Sequence, residues 1–434
     1  YCWQIIKMST LTSNQSSAYN RMPKAVLSDK VSVGGRTRTV KTYVPLHQSR
    51  TIRGHQTFNT TSFKSVPANL FNGSGQRFVG QIQMGSIGLI KSATLRITMN
   101  ISGAVGDTLT FADAPHFIDR LEVKSQNGSK HLTTLHDDVL WYNLNLVDGD
   151  RSFELMKKAG MSQGFAKWGG TGISANGTTG DFTFHIPILG SIFGHSPVYF
   201  GNASGDMNIE LFSASSKPYI VTAGNPVVTC QGIDLIVESE ALSIEDQLFH
   251  KNHHDGAICS TRFLEPVENH FYSQSLTAGQ EVKVDMDAVT GDVSHLLVAV
   301  QATGQSNQTP AGAFTSVSLN NCKVDILNST GKSLYGEGQP VPIDIFNSEV
   351  FPSHFATTFL TFNNWLTIPF AQDLKNAYHG VKDGCLRFDQ NRKYVSLTLP
   401  NTWTTGTYDV KIYAFVYRKL SSSQGRFVSS DDLD

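Results

Sequence analysis

Apolar and polar residues alternate in short runs along most of this chain, the period of strands that bury one face. Such runs fall at 76–84, 93–102, 117–123, 130–135, 181–188, 207–213 and 228–239. A second series falls at 258–274, 280–287, 294–302, 322–328, 355–362, 365–370, 384–388, 393–399 and 408–418. The two series read as one pattern written twice. The run from Arg120 to Lys130 and the run from Cys322 to Lys332 each stop at a small-polar and glycine turn, about 203 residues apart. The first turn carries Asn127-Gly128, a strong hairpin signal. Gln76–Met84 matches Gln280–Met286, and Ala93–Met99 matches Ser294–Val300, at nearly the same spacing. Phe184–Pro187 resembles Leu366–Pro369 at a spacing of 182, and Met207–Phe212 resembles Tyr394–Leu399 at about 187. The drop of about twenty residues places an insertion in the first copy, between Lys130 and Phe182.

Within that insertion the period changes. From Asp137 to Val147, Leu140, Leu144 and Val147 share one helical face, with His136, Asp137 and Asp138 as the N-terminal cap. A second short helix is expected over Ser152–Lys158, and a glycine-rich surface loop over Gly164–Gly180. About eight short strands per copy, joined by long loops, fit two tandem eight-stranded jelly rolls. The fold class is therefore all-β, a double jelly roll with short helices inserted in the first roll. The competing immunoglobulin-like sandwich lacks its Cys…Trp…Cys pattern here. The expected domains are a basic extended arm over 1–56, with loop-like sequence continuing to Ser74, and roll one over 57–245, its insertion at about 136–180. A linker follows over 246–257, then roll two over 258–420 and a flexible acidic tail over 421–434. Met8 reads as a natural initiator, with residues 1–7 an upstream extension.

Composition narrows the function. With 434 residues and 26 Phe, the chain can fill more than one core. No run of 18 apolar residues marks a transmembrane helix, and the start lacks the apolar run of a signal peptide. Cys2, Cys230, Cys259, Cys322 and Cys385 are scattered and odd in number, which reads as reduced thiols packed as small apolar groups in an intracellular protein. Net charge is −1, yet residues 1–55 hold nine Lys/Arg against one acid. That segment is +8 and the remainder −9. Lys7, Arg21, Lys24, Lys30, Arg36, Arg38, Lys41, Arg50 and Arg53 would meet phosphate on nucleic acid or lipid headgroups, or acidic neighbouring subunits.

No catalytic constellation or cofactor motif stands out, and none is assigned. Gly331-Lys332-Ser333 ends like a phosphate loop, but Ile326 holds the position that needs glycine. His250, His253, His254 and Asp255 form the densest ligand-like cluster, for which a polar linker is the simpler reading. Trp141, Trp168, Trp365 and Trp403 are dispersed and read as core or interface anchors.

The segment from Phe117 to Gly128, followed within about ten residues by His136–Asn143, resembles the double jelly-roll major capsid proteins of icosahedral double-stranded DNA viruses. That group includes adenovirus hexon, the large nucleocytoplasmic DNA viruses, virophages and Polinton-like viruses. Their first roll has an Ile-x-x-Ile-Glu strand, a turn glycine and an aromatic-rich helix; here Leu121 replaces the second Ile. The resemblance spans about residues 57–420 and is nearest the smaller virophage and Polinton-like members. It implies a structural, non-enzymatic virion protein, made inside the host cell and not secreted. It implies homotrimeric capsomers of hexagonal outline that contact one another and minor capsid or penton proteins, with the arm near genome or internal membrane. The alternatives are a carbohydrate- or receptor-binding spike-like β protein, or a glycan-acting enzyme using Glu238, Glu240, Asp285 and Asp287.

Overall fold

The computed structural model describes residues 26–33 and 36–43 and most of 54–431; within 54–431 the longest stretches outside the description are 145–172, 249–258, 305–316 and 346–364. Two rolls follow one another, each built on two antiparallel sheets, and roll one adds a small third sheet of Tyr219–Ala223, Asp107–Phe111 and Ile173–Ala175. In roll one, the strands Gly54–Ser62, Val227–Leu242, Leu89–Ser102 and Gly180–Pro187 lie side by side in that order. Facing them are Arg77–Ile82, Met207–Ser213, Ile118–Ser125 and Lys130–His136. Roll two repeats both orders. Its first sheet runs Cys259–Glu268, Gly406–Ser423, Gly291–Ala302 and Trp365–Pro369. Its second runs Glu281–Asp285, Lys393–Thr398, Lys323–Asn328 and Val341–Pro342.

The repeat extends to register. Ile186 sits opposite Leu95 in roll one, and Ile368 sits opposite Leu296 in roll two. Leu211 pairs with Leu121, and Leu397 pairs with Val324. Both turn glycines, Gly128 and Gly331, take positive φ (87° and 77°), a conformation open to glycine at little cost. Because strand side chains alternate with period two, equal registers put equivalent residues into equivalent cores.

Four expectations change. The loop-like stretch after the arm contains the strand Gly54–Ser62, which lies at a sheet edge. Its sequence hides it because its inward-leaning residues are polar: Thr57 Oγ1 donates to the Ser239 carbonyl (3.1 Å) and Asn59 Nδ2 to Ser239 Oγ (3.2 Å). The arm is not simply extended, since Val26–Val33 pairs with Arg36–Tyr43 in an antiparallel hairpin. Gly34-Gly35 between those strands is the two-residue hairpin signal that the charge count overshadowed. The expected flexible tail contains the strand Arg426–Asp431, which pairs with Gly406–Ser423 and buries Phe427. The glycine-rich loop carries a short strand, Ile173–Ala175, paired with Asp107–Leu109.

A helical turn at 244–248 stands between the rolls. Of the inserted helices, α1 (Asp137–Leu144) is described, while the second expected helix lies outside the described residues. Among the described residues, no helix is long and apolar enough to cross a membrane.

Candidate functional site

Among the described residues, the most chemically loaded place is the seam where α1 meets roll two. Val410 to Tyr417 reads Val-Lys-Ile-Tyr-Ala-Phe-Val-Tyr, a nearly unbroken apolar run. A strand reads this way when both of its faces are covered. Val410, Ile412, Ala414 and Val416 face the interior of roll two. Tyr413, Phe415 and Tyr417 belong instead to an apolar cluster continuous with the core of roll one. Leu297, Ala299 and Trp365 join them from neighbouring strands. The alternation expected over 408–418 thus describes only half of this sheet, and the expectation that its strands bury one face is corrected here.

α1 fills the space between the rolls. Every residue from Asp138 to Leu144 is buried, so the helix has no solvent face and the Leu140/Leu144 stripe is not its only apolar side. Tyr142 shares a hydrogen bond with Thr367 of roll two (3.0 Å) and packs near Phe415 (5.7 Å between centroids). His295 stacks on Phe415 at 4.1 Å. Asn143 Nδ2 donates to the Leu189 carbonyl (2.7 Å), and its Oδ1 accepts from Tyr378 of roll two. The C-terminal strand closes the end of the seam, where Ser125 Oγ donates to the Phe427 carbonyl (3.1 Å).

Charges are buried in this seam. His116 Nδ1 lies 2.9 Å from Asp137, Lys411 Nζ lies 3.2 Å from Asp138, and Trp141 Nε1 donates to Asp113 (2.9 Å). Beside them, Glu268 of roll two binds His136 of roll one at 2.9 Å, His270 of its own roll at 3.4 Å, and the Tyr272 hydroxyl at 3.0 Å. Burial disfavours a charged His116, but the hydrogen bond and charge of Asp137, with Asp138 and Asp113 behind it, hold its pKa above the ordinary value. Burial likewise opposes charge on His136, and Glu268 outweighs it, so His136 is also raised. The His136 hydrogen bond pulls Glu268 down to about 2 against its burial. Burial drives His270 the other way, down to about 4, with Lys411 adding to the effect. Burial also disfavours charge on Lys411, yet the carboxylates of Asp138 and Asp137 keep it firmly protonated.

Ligand atoms of His116, Asp137 and Asp138 lie within 4.8 Å of one another, the spacing of a cation site. The protein's own cations already answer these carboxylates, since Asp137 faces His116 and Asp138 faces Lys411. The group is a buried ion network rather than a metal centre.

Residues singled out from sequence fall elsewhere. His250, His253, His254 and Asp255 lie outside the described residues, as do Lys7, Arg21, Lys24, Arg50, Arg53 and Trp168. Lys30, Arg36, Arg38 and Lys41 lie on the N-terminal hairpin. Glu238 and Glu240 belong to the first sheet of roll one, where Ser92 and Lys91 hold them. Asp285 and Asp287 lie at the end of a roll-two strand and share Arg392. The acids proposed for a glycan-acting enzyme therefore belong to different sheets of different rolls. Gly331-Lys332-Ser333 forms a turn in which Asn328 Oδ1 accepts from the Lys332 N–H (2.8 Å). Cys230 and Cys322 are buried free thiols as expected, whereas Cys385 is exposed.

Little of the seam's own chemistry is legible in the sequence. Sequence reads Asp137 and Asp138 as a helix cap, whereas in the fold Asp137 meets His116, 21 residues away, and Asp138 meets Lys411, 273 residues away. The available signal was Lys411, a lone cation inside an apolar run.

No known protein-family profile matches the sequence, and no curated protein sequence does. Solved structures do. PBCV-1 VP54, in a crystal structure fitted into a reconstruction of the virophage Sputnik, aligns with a TM-score of 0.63 at 11% identity, over 88% of this chain and 97% of that one. The chain has the double jelly-roll fold of viral capsid proteins. The mavirus major capsid protein aligns with a TM-score of 0.52 at 10% identity, over 93% of this chain and 94% of that one. The Faustovirus major capsid protein aligns at 0.55 and 9% identity, over 88% and 92%. Both rolls are covered in each case, so the likeness extends to their tandem arrangement.

Proposed function

We propose that this chain is a structural viral major capsid protein that self-associates into trimeric capsomers of hexagonal outline and tiles an icosahedral shell. The observation that carries the reading is the match to capsid proteins of several viruses over 88% to 93% of the chain, which spans both rolls. A doubled sandwich whose most elaborate buried chemistry locks roll to roll suits a tile better than a catalyst. Three such chains present six similar rolls, which fills a hexagonal outline with closed symmetry.

The basic N-terminal segment, +8 over residues 1–55, suits the inner side of a shell, where it would meet genome or membrane phosphate and weaken with salt. Minor capsid or penton proteins and neighbouring capsomers are its expected partners, and the virion its location. Negative-stain imaging of purified protein tests the proposal. Hexagonal trimers or closed shells support it; a stable monomer that binds or cleaves glycans would sink it.

A further inference from the structure

Glu268 is shared by the two rolls. From roll one it is reached by His136, the last residue of the strand Lys130–His136. From roll two it is reached by His270 and Tyr272. The two histidines need opposite protonation states. His136 lies 2.9 Å from the carboxylate and gains most as an imidazolium. His270 Nδ1 accepts the Ile412 backbone N–H at 3.2 Å, a bond that only an unprotonated nitrogen can accept. Both rings pack on Tyr413, at 5.8 Å and 4.8 Å between centroids, inside the seam.

We propose that the seam is a proton-gated joint: Glu268 clasps the two rolls when His136 carries a proton and His270 does not, and the clasp loosens on either side of that window. The titratable groups that face it are Asp119, Asp137 and Asp138 from roll one, and Lys411, Tyr272, Tyr413 and Asp409 from roll two.

His136 is raised in the fold, so its contribution is complete below the ordinary histidine value of 6.5 and is lost as pH climbs through the raised value. His116 adds to the same alkaline limb, being raised as well. His270 is lowered to about 4, so above 6.5 it is neutral whether folded or not, and its contribution fades as pH falls from 6.5 towards 4. Glu268 would be lost only as pH falls towards about 2, below that window. The joint is therefore tightest near pH 6.5.

The experiment is hydrogen–deuterium exchange on the full chain from pH 4.5 to 9, corrected for the intrinsic pH dependence of exchange, comparing α1 with the distant strands Lys323–Asn328 and Lys393–Thr398 of roll two's second sheet. Protection of α1 should peak near pH 6.5 and fall by about tenfold for each unit by which the seam shifts the controlling histidine. The distant strands should hold their protection. His136→Gln should flatten the alkaline fall, leaving only the share carried by His116, and His270→Gln should remove the acid fall. A flat α1 profile in the unmodified protein would overturn the proposal, and that measurement needs no variant. So would distant strands that lose protection in parallel, or a His136→Gln profile that follows the parent. The readout reports on one chain's two rolls, so its failure is separate from any failure to form capsomers.

Discussion

The two rolls carry the same sheet in the same register and use its outer face in opposite ways. In roll one, Asp234 stands opposite Arg96, and in roll two Tyr413 stands opposite Leu297 at the matching place. One strand position further, Ile236 opposite Thr94 becomes Phe415 opposite His295. The interior positions between them barely differ in kind. Ile233 opposite Ile97 corresponds to Ile412 opposite Val298, and Leu235 opposite Leu95 to Ala414 opposite Leu296. Roll one turns a ladder of ion pairs outward, Arg96 with Asp234 and Lys91 with Glu240. Roll two turns aromatic rings outward and buries them under α1. The inner face makes the roll; the outer face decides what the roll docks against.

That comparison can be broken at its most costly point first. Lys411→Met leaves the buried Asp138 carboxylate without its cation and should cost about 3–5 kcal/mol, read as a lower urea midpoint by the fluorescence of Trp141 beside it. Adding Asp138→Leu should restore most of the loss, because an apolar pair of similar volume has no charge to compensate. A single variant as stable as the parent would mean that water reaches the network.

Next in size is Leu297→Ala, which opens a void under α1 and should cost about 2–5 kcal/mol by the same measurement. The smallest effect belongs to the matching position in roll one. Arg96→Ala removes an ion pair on a half-exposed side chain and should cost only about 0.2–1 kcal/mol, less in high salt. Equal costs at Leu297 and Arg96 would erase the distinction between the two faces.

The strands of the rolls were legible because most bury one face, and a period of two survives in sequence. Asn127-Gly128 marked its hairpin for the same local reason, since a turn depends on its own residues. Gly54–Ser62 was not legible, because an edge strand held by backbone pairing and the hydroxyls of Thr57 and Ser239 needs no apolar stripe. The strand Arg426–Asp431 leaves little trace in sequence, because its buried Phe427 is useful only against a core supplied by other segments. The place of α1 follows from its three-and-four spacing, but its complete burial does not, since periodicity counts only the first face to be covered.

The sequence by itself determined the doubling, the strand order's repeat, the inserted helix and the basic leading segment, all consequences of local spacing and composition. Only the tertiary structure decided which sheet is wetted and which is glued, and it alone assembled His116, Asp137, Asp138, Glu268, His270 and Lys411 into one seam. The physical reason is that a buried charge is tolerable only beside its partner, and the pairs that join the rolls are far apart in sequence, His136 and Glu268 by 132 residues and Asp138 and Lys411 by 273.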